Sequence, residues 1–186
     1  MPPRSKLSRQ DIVNVSVDIV RKQGVQGLNA RNIASELGCS TQPIFSNFTS
    51  MEDLYTAVIQ QAEKLHNSYI SDEIARREFP AYKASGMAYI RFAKEEKELF
   101  KLLYMRDRDG EEIPEKHELT AQMEGIVHQN TGLEGDDVKL FHLEMWACVH
   151  GIATMFATGF LDLDWVLVSQ MLTDIYQGLN RKFSEE

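Results

Sequence analysis

Cysteine occurs only twice in this 186-residue sequence, at Cys39 and Cys148. Two thiols so far apart, with no CxxC-type spacing, give no disulfide framework and suit a reducing, cytoplasmic setting. Proline (5) and glycine (11) are also scarce, which favours helices over strands. No apolar run reaches membrane-spanning length, and the basic, proline-containing start lacks the apolar core of a signal peptide. No membrane partner is expected. HExxH, GxSxG, P-loop and GxGxxG motifs are all missing, and no base can be assigned by spacing to a nucleophilic Cys or Ser. The expectation is a non-enzyme with no cofactor and no metal.

What is present is an uneven distribution of charge. The net charge is −8, yet residues 1–50 hold six basic residues (Arg4, Lys6, Arg9, Arg21, Lys22, Arg31) against three acidic ones, giving +3. The other 14 basic and 25 acidic residues leave −11 for residues 51–186. A positive head on an acidic body is what a phosphate-facing segment should show. With 43% hydrophobic residues the chain can build a real core.

Ser8-Arg9-Gln10-Asp11 reads as a capping-box-like helix start, and Ile12, Val15, Ile19 and Val20 repeat at helical spacing up to Gly24. Asn29 is a good N-cap for a second helix, with Ile33, Ala34 and Leu37 on its buried face. Gly38 stands where a left-handed residue ends that helix. Ser40 is expected to cap a third helix, about Thr41 to Asn47, with Ile44, Phe45 and Phe48 turned inward. Pro43 is tolerated in the first turn, where its missing N–H has no internal partner. Two short helices joined by a tight turn suit an element that sets its second helix in a DNA major groove.

The candidates for DNA contact follow from that geometry. Thr41, Gln42, Ser46 and Asn47, with Pro43 among them, lie on the recognition helix. Gln42 is the best base reader, because a glutamine amide can bond adenine N6 and N7 together. Arg31 and the amides near Ser40 are expected to hold phosphates, and Lys6 lies in a basic arm able to follow the duplex.

Over Asn29–Leu54 the segment resembles the DNA-binding domain of the tetracycline-repressor (TetR) family of bacterial one-component regulators. The resemblance rests on Asn29, Arg31, Ile33, Ala34, Gly38-Cys39-Ser40, Ile44-Phe45-Ser46-Asn47-Phe48 and Ser50-Met51-Glu52-Asp53-Leu54. Phe45, Asn47 and Met51 stand where the family usually has Tyr, His and Lys, so fewer phosphate contacts are implied. The strings AYIRFAKEEKELFKLLY and WACVHGIA (Trp146 to Ala153) resemble a subgroup with a Trp-x-x-x-His-Gly signature.

Beyond the head, Ser50 caps a long helix expected to run to about Phe79, with Pro80 as its break. Pro114 starts a later helix. Val138 to Phe160 is apolar on more than one face and needs cover on all sides, for which a second subunit is economical. Trp165 to Phe183 repeats the theme, so residues about 138–183 are the expected homodimer interface, four helices about a two-fold axis. His142, Trp146 and His150 share one helix face, where packing and polar bonds are expected before metal binding. The family resemblance implies a ligand cavity in the body. Met87, Phe92, Tyr104, Met105, Met123, Trp146 and His150 are the candidate lining.

The expected fold is thus all-α: a three-helix helix-turn-helix domain at residues 1–50, then a helical ligand-binding and dimerisation domain at 51–186. The expected partners are a double-stranded DNA operator, a second copy of the chain and an unidentified small-molecule effector. The alternative is a DNA-binding regulator without a small-molecule ligand, constitutive or controlled by a protein partner.

Overall fold

The computed structural model describes residues 7–107 and 118–185. Among them are nine α-helices and no strand. They are α1 (Arg9–Gln23), α2 (Ala30–Glu36), α3 (Gln42–Asn47), α4 (Met51–Arg76), α5 (Ala81–Glu95), α6 (Lys97–Tyr104), α7 (Glu118–Thr131), α8 (Gly135–Thr158) and α9 (Trp165–Ser184). The all-α expectation holds. Lys6 and Pro114 lie outside the described residues.

The chain forms two compact units, one of residues up to Asn67 with Glu96–Arg106, the other of Ser68–Glu95 with the residues from Asp107 onward. In the first, α1 opens with a full capping box: Ser8 Oγ accepts from Asp11 N at 3.1 Å, and Asp11 Oδ2 accepts from Ser8 N at 2.9 Å. Its buried stripe includes Ile12, Val17, Ile19 and Val20, and α1 packs on α2, α3 and α6. Leu99, Phe100, Leu102 and Leu103 of α6 are buried in turn. A segment far along the chain, Lys97–Tyr104, therefore shares the core of the helix-turn-helix head.

In α4, Leu54, Val58, Ala62, His66, Ile70 and Glu73 recur every three or four residues and are all buried. The helix stops at Arg76 rather than near Phe79, because Arg77 turns left-handed (φ 58°) with its N–H on the Ile74 carbonyl at 3.2 Å. Pro80 follows that stop instead of causing it.

In the second unit α5 packs chiefly on α8, and also on α7 and α9. Gly86 lets these helices close, since a Cβ there would lie 3.3 Å from Leu172 and 3.3 Å from Val149. Tyr82, Met123, Val127, Val138, Phe141 and Met145 form a buried cluster. The helix α8 corrects one expectation, for by length and composition it is apolar enough to cross a bilayer. Its Phe141, Ile152, Ala153 and Phe156 are instead buried against protein, and its first turn carries Asp136 and Asp137. Leu140, Leu143 and Trp146 on the same helix are exposed, so α8 is covered on one side only.

Candidate functional site

The recognition element is built from short-range hydrogen bonds. Asn29 Oδ1 accepts from Asn32 N at 3.0 Å and opens α2. Gly38, at φ 60°, closes it. Ser40, expected to cap α3, does not. The N-cap is Thr41, without a side-chain bond, and the N–H groups of Ile44 and Phe45 turn onto its carbonyl at 3.1 and 3.4 Å. Pro43 occupies the second position of the helix, where one of the N–H groups a cap could bind is missing.

Phe45 is a second correction. It was expected inward, yet it is 51% exposed while Ile44 and Phe48 are buried. The cause is helical geometry: Ile44 on the six-residue helix and Phe48, its C-cap four residues on, are both buried, and Phe45 falls about 100° round from Ile44. Gln42, Phe45 and Ser46 thus form the exposed face of α3. Among the described residues the Gln42 side chain makes no hydrogen bond, and Arg31, exposed on α2, has no partner. Ser46 Oγ donates to the Gln42 carbonyl at 2.9 Å and Asn47 Nδ2 to the Pro43 carbonyl at 2.8 Å. Both side chains are turned onto their own helix.

Two of the arginines counted toward a phosphate-facing head are engaged by other groups of the protein at its surface. Arg21 donates to both Glu96 oxygens at 2.8 Å and to Asp18 at 3.0 Å. The Glu96 bond, first among several influences, raises its pKa further. Arg9 donates to the Asn47 carbonyl and to Asp53 Oδ1, each at 2.7 Å, and lies 4.0 Å over the Phe48 ring. Arg9 in turn is the main cause that holds the Asp53 carboxyl down to about 2, with the Thr49 N–H next. Apart from Asp18, three residues before Arg21, the partners lie 38 to 75 residues away and leave no local sequence signal.

The body candidates divide between the two units. Tyr104 and Met105 belong to the first, where the Tyr104 hydroxyl lies 3.0 Å from Nδ1 of His66. His66 is buried, and desolvation pushes its pKa down to about 4. Met87, Phe92, Met123, Trp146 and His150 belong to the second unit. There Met87, Phe92 and Met123 are buried, while Trp146 is 40% exposed and stacks on His150 with ring centroids 4.8 Å apart. Tyr82 and Tyr89 of α5 place their hydroxyls 2.9 Å from Nδ1 of His142 and His150 respectively. Burial lowers the pKa of both histidines and raises that of Tyr82. The two histidines therefore bond different tyrosines. Both tyrosines escaped the sequence reading, although their seven-residue spacing on one helix was a usable signal.

Glu73 and Arg91 form a further pair in that unit, at 2.7 Å with Glu73 2% exposed. A shallow groove of about 280 Å³ between α1 and α4 is lined by Asn14, Val17, Asp18, Arg21, Gln61 and Leu65. None of the candidate ligand residues lies on it.

A helix-turn-helix head joined to an otherwise helical chain defines the class, a DNA-binding transcription regulator. Residues 82–174, half of the chain, match the family model described as the tetracyclin repressor-like C-terminal domain. The uncharacterized HTH-type transcriptional regulator Rv0681 of Mycobacterium tuberculosis is 24% identical over 165 residues, 85% of this chain and 74% of its own. A protein of unknown function from Rhodococcus sp. RHA1 has the same fold, with a TM-score of 0.71, 24% identity and 98% of each chain covered. So do a TetR-like transcriptional regulator from the same organism (TM-score 0.66, 14% identity, 100% of each chain) and a multidrug binding protein, EbrR, complexed with imidazole. The last has a TM-score of 0.61 at 16% identity, over 90% of this chain and 93% of that one. The chain belongs to the TetR family of transcriptional regulators.

Proposed function

We propose that the protein is a homodimeric, cytoplasmic repressor that binds a palindromic operator through residues 1–50 and is released by a small molecule sensed in residues 51–186. The observation that carries the DNA half is the exposed face of α3, where, among the described residues, the Gln42 side chain makes no hydrogen bond beside Phe45 and Ser46 and Arg31 on α2 has no partner. A glutamine presented in this way can bond an adenine edge, and an unpaired arginine can hold a phosphate. Thr41, Pro43 and Ser40 flank the same face. Asn47 and Ser46 would have to leave their own helix carbonyls to reach a base.

Dimerisation is supported by apolar residues left open on the last two helices: Leu140, Leu143 and Trp146 on α8, Val166 and Leu167 on α9. A second copy would cover them and hold two heads about one helical turn of DNA, ~34–36 Å, apart. The release mechanism rests on population shift. A ligand preferring a body shape with another head spacing weakens operator binding by its differential affinity. The helix α4, which begins in one unit and ends in the other, is the proposed transmitter. The fold shared with a multidrug binding protein favours a small-molecule effector over control by a protein partner. The absence of catalytic motifs and the regulator relatives favour a binding protein over an enzyme.

A gel-shift on the DNA beside its own gene tests the reading, followed by a selection from a random duplex pool. Gln42→Ala is expected to reduce discrimination at one base step by ~1–3 kcal/mol. An equal loss on every duplex would remove Gln42 from base reading. A thermal-shift panel of small molecules separates a sensor from a regulator without a ligand.

A further inference from the structure

We propose that Arg9 is a positioning residue that fixes the recognition helix, not one of the phosphate-binding cations its place in a basic N-terminal segment suggests. The proposal rests on the DNA-binding reading above. Three contacts converge on one guanidinium at the start of α1. Nη1 donates to the carbonyl of Asn47, the last residue of α3, at 2.7 Å. That carbonyl is one of the helix-end acceptors that no later turn can satisfy. Nη2 donates to Asp53 Oδ1 in the first turn of α4, also at 2.7 Å. The flat face of the group lies 4.0 Å from the centroid of Phe48, which is 2% exposed between the two helices in sequence.

The acceptor is itself held in place. Asp53 Oδ2 takes the Thr49 N–H at 3.0 Å and the Thr49 hydroxyl at 3.3 Å, and the Asp53 N–H is capped by Ser50 Oγ at 3.1 Å. Arg9 therefore ties the end of α3 and the start of α4 to α1, across the three-residue link (Phe48, Thr49, Ser50) that sets the direction of the recognition helix. Only a planar fork does this. A lysine ammonium has no flat face for Phe48 and is a point charge where two acceptors diverge. The carboxylate also neutralises the charge that a phosphate would need.

The two roles differ in what they do to salt dependence and specificity. The experiment measures affinity for a duplex selected from a random pool and for an unrelated duplex, across a salt series, for the full chain and for Arg9→Gln, Arg9→Lys and Asp53→Asn. The expected result for Arg9→Gln is an affinity for the selected duplex lower by about fivefold, with the unrelated duplex and the salt slope unchanged. Arg9→Lys is expected to fail to restore it. Asp53→Asn is expected to weaken selective binding too, although it makes the head one charge less negative.

A salt slope reduced by about one in Arg9→Gln, with Arg9→Lys restoring affinity, would make Arg9 a phosphate ligand and overturn the proposal. Tighter selective binding by Asp53→Asn, or equal loss on both duplexes, overturns it as well. If the unaltered chain binds no duplex, the regulator reading itself fails and takes this proposal with it.

Discussion

Acidification offers a test of the first unit's core through one buried side chain. His66 is 2% exposed on α4, with the Tyr104 hydroxyl 3.0 Å from Nδ1 and the two rings edge to face at 5.5 Å. Burial favours the neutral ring and brings its pKa down to about 4 from 6.5. In the unfolded chain the ring protonates first, at the ordinary value. Its full contribution to stability is therefore present above pH 6.5 and is lost as the pH falls toward 4. Each pH unit in that window costs about 1.4 kcal/mol, so the loss is about 2 kcal/mol at pH ~5 and about 3 kcal/mol in all.

His142 and His150 are shifted the same way by burial and add to the trend. Subtraction of a His66→Gln variant isolates the one ring. The assay is urea unfolding of both proteins at one fixed protomer concentration, between about pH 7.5 and about pH 4.5. The stability difference between the two should shrink by about 2 kcal/mol between pH ~7 and pH ~5. A difference flat to within about 0.5 kcal/mol, or a His66 resonance titrating near 6.5, would refute the reasoning.

Two further expectations concern the backbone. Gly86→Leu places atoms where a Cβ alone already meets Leu172 and Val149 at 3.3 Å, and should destabilise by ~1–3 kcal/mol in thermal melts. Gly86→Ala should stay within about 1 kcal/mol, because the better helix propensity of alanine offsets the close contacts. Arg77, at φ 58°, holds a conformation that glycine adopts without strain, so Arg77→Gly should raise stability by about 0.5–1 kcal/mol. A lower melting temperature would mean that the Arg77 side chain contributes more than its backbone strain costs.

The all-α class, the capping box at Ser8, the N-cap at Asn29 and the left-handed Gly38 were all legible in the sequence. Each is a local property, set by residues within one turn of each other, and local chemistry needs no knowledge of the rest of the chain. The TetR resemblance was legible for the same reason, because its motif lies in one unbroken stretch. Phe45 was misjudged even at that range, since hydrophobicity alone does not say on which side of a six-residue helix a ring falls. Packing decided the rest. That α6 closes the core of the head, that Arg9 and Arg21 pair with Asp53 and Glu96 at the surface, and that Tyr82 and Tyr89 meet His142 and His150 depend on contacts 38 to 75 residues apart. Such pairings are selected by how whole helices lie against one another: periodicity can place Tyr82 and Tyr89 on one face of α5, but not name the partners that face meets.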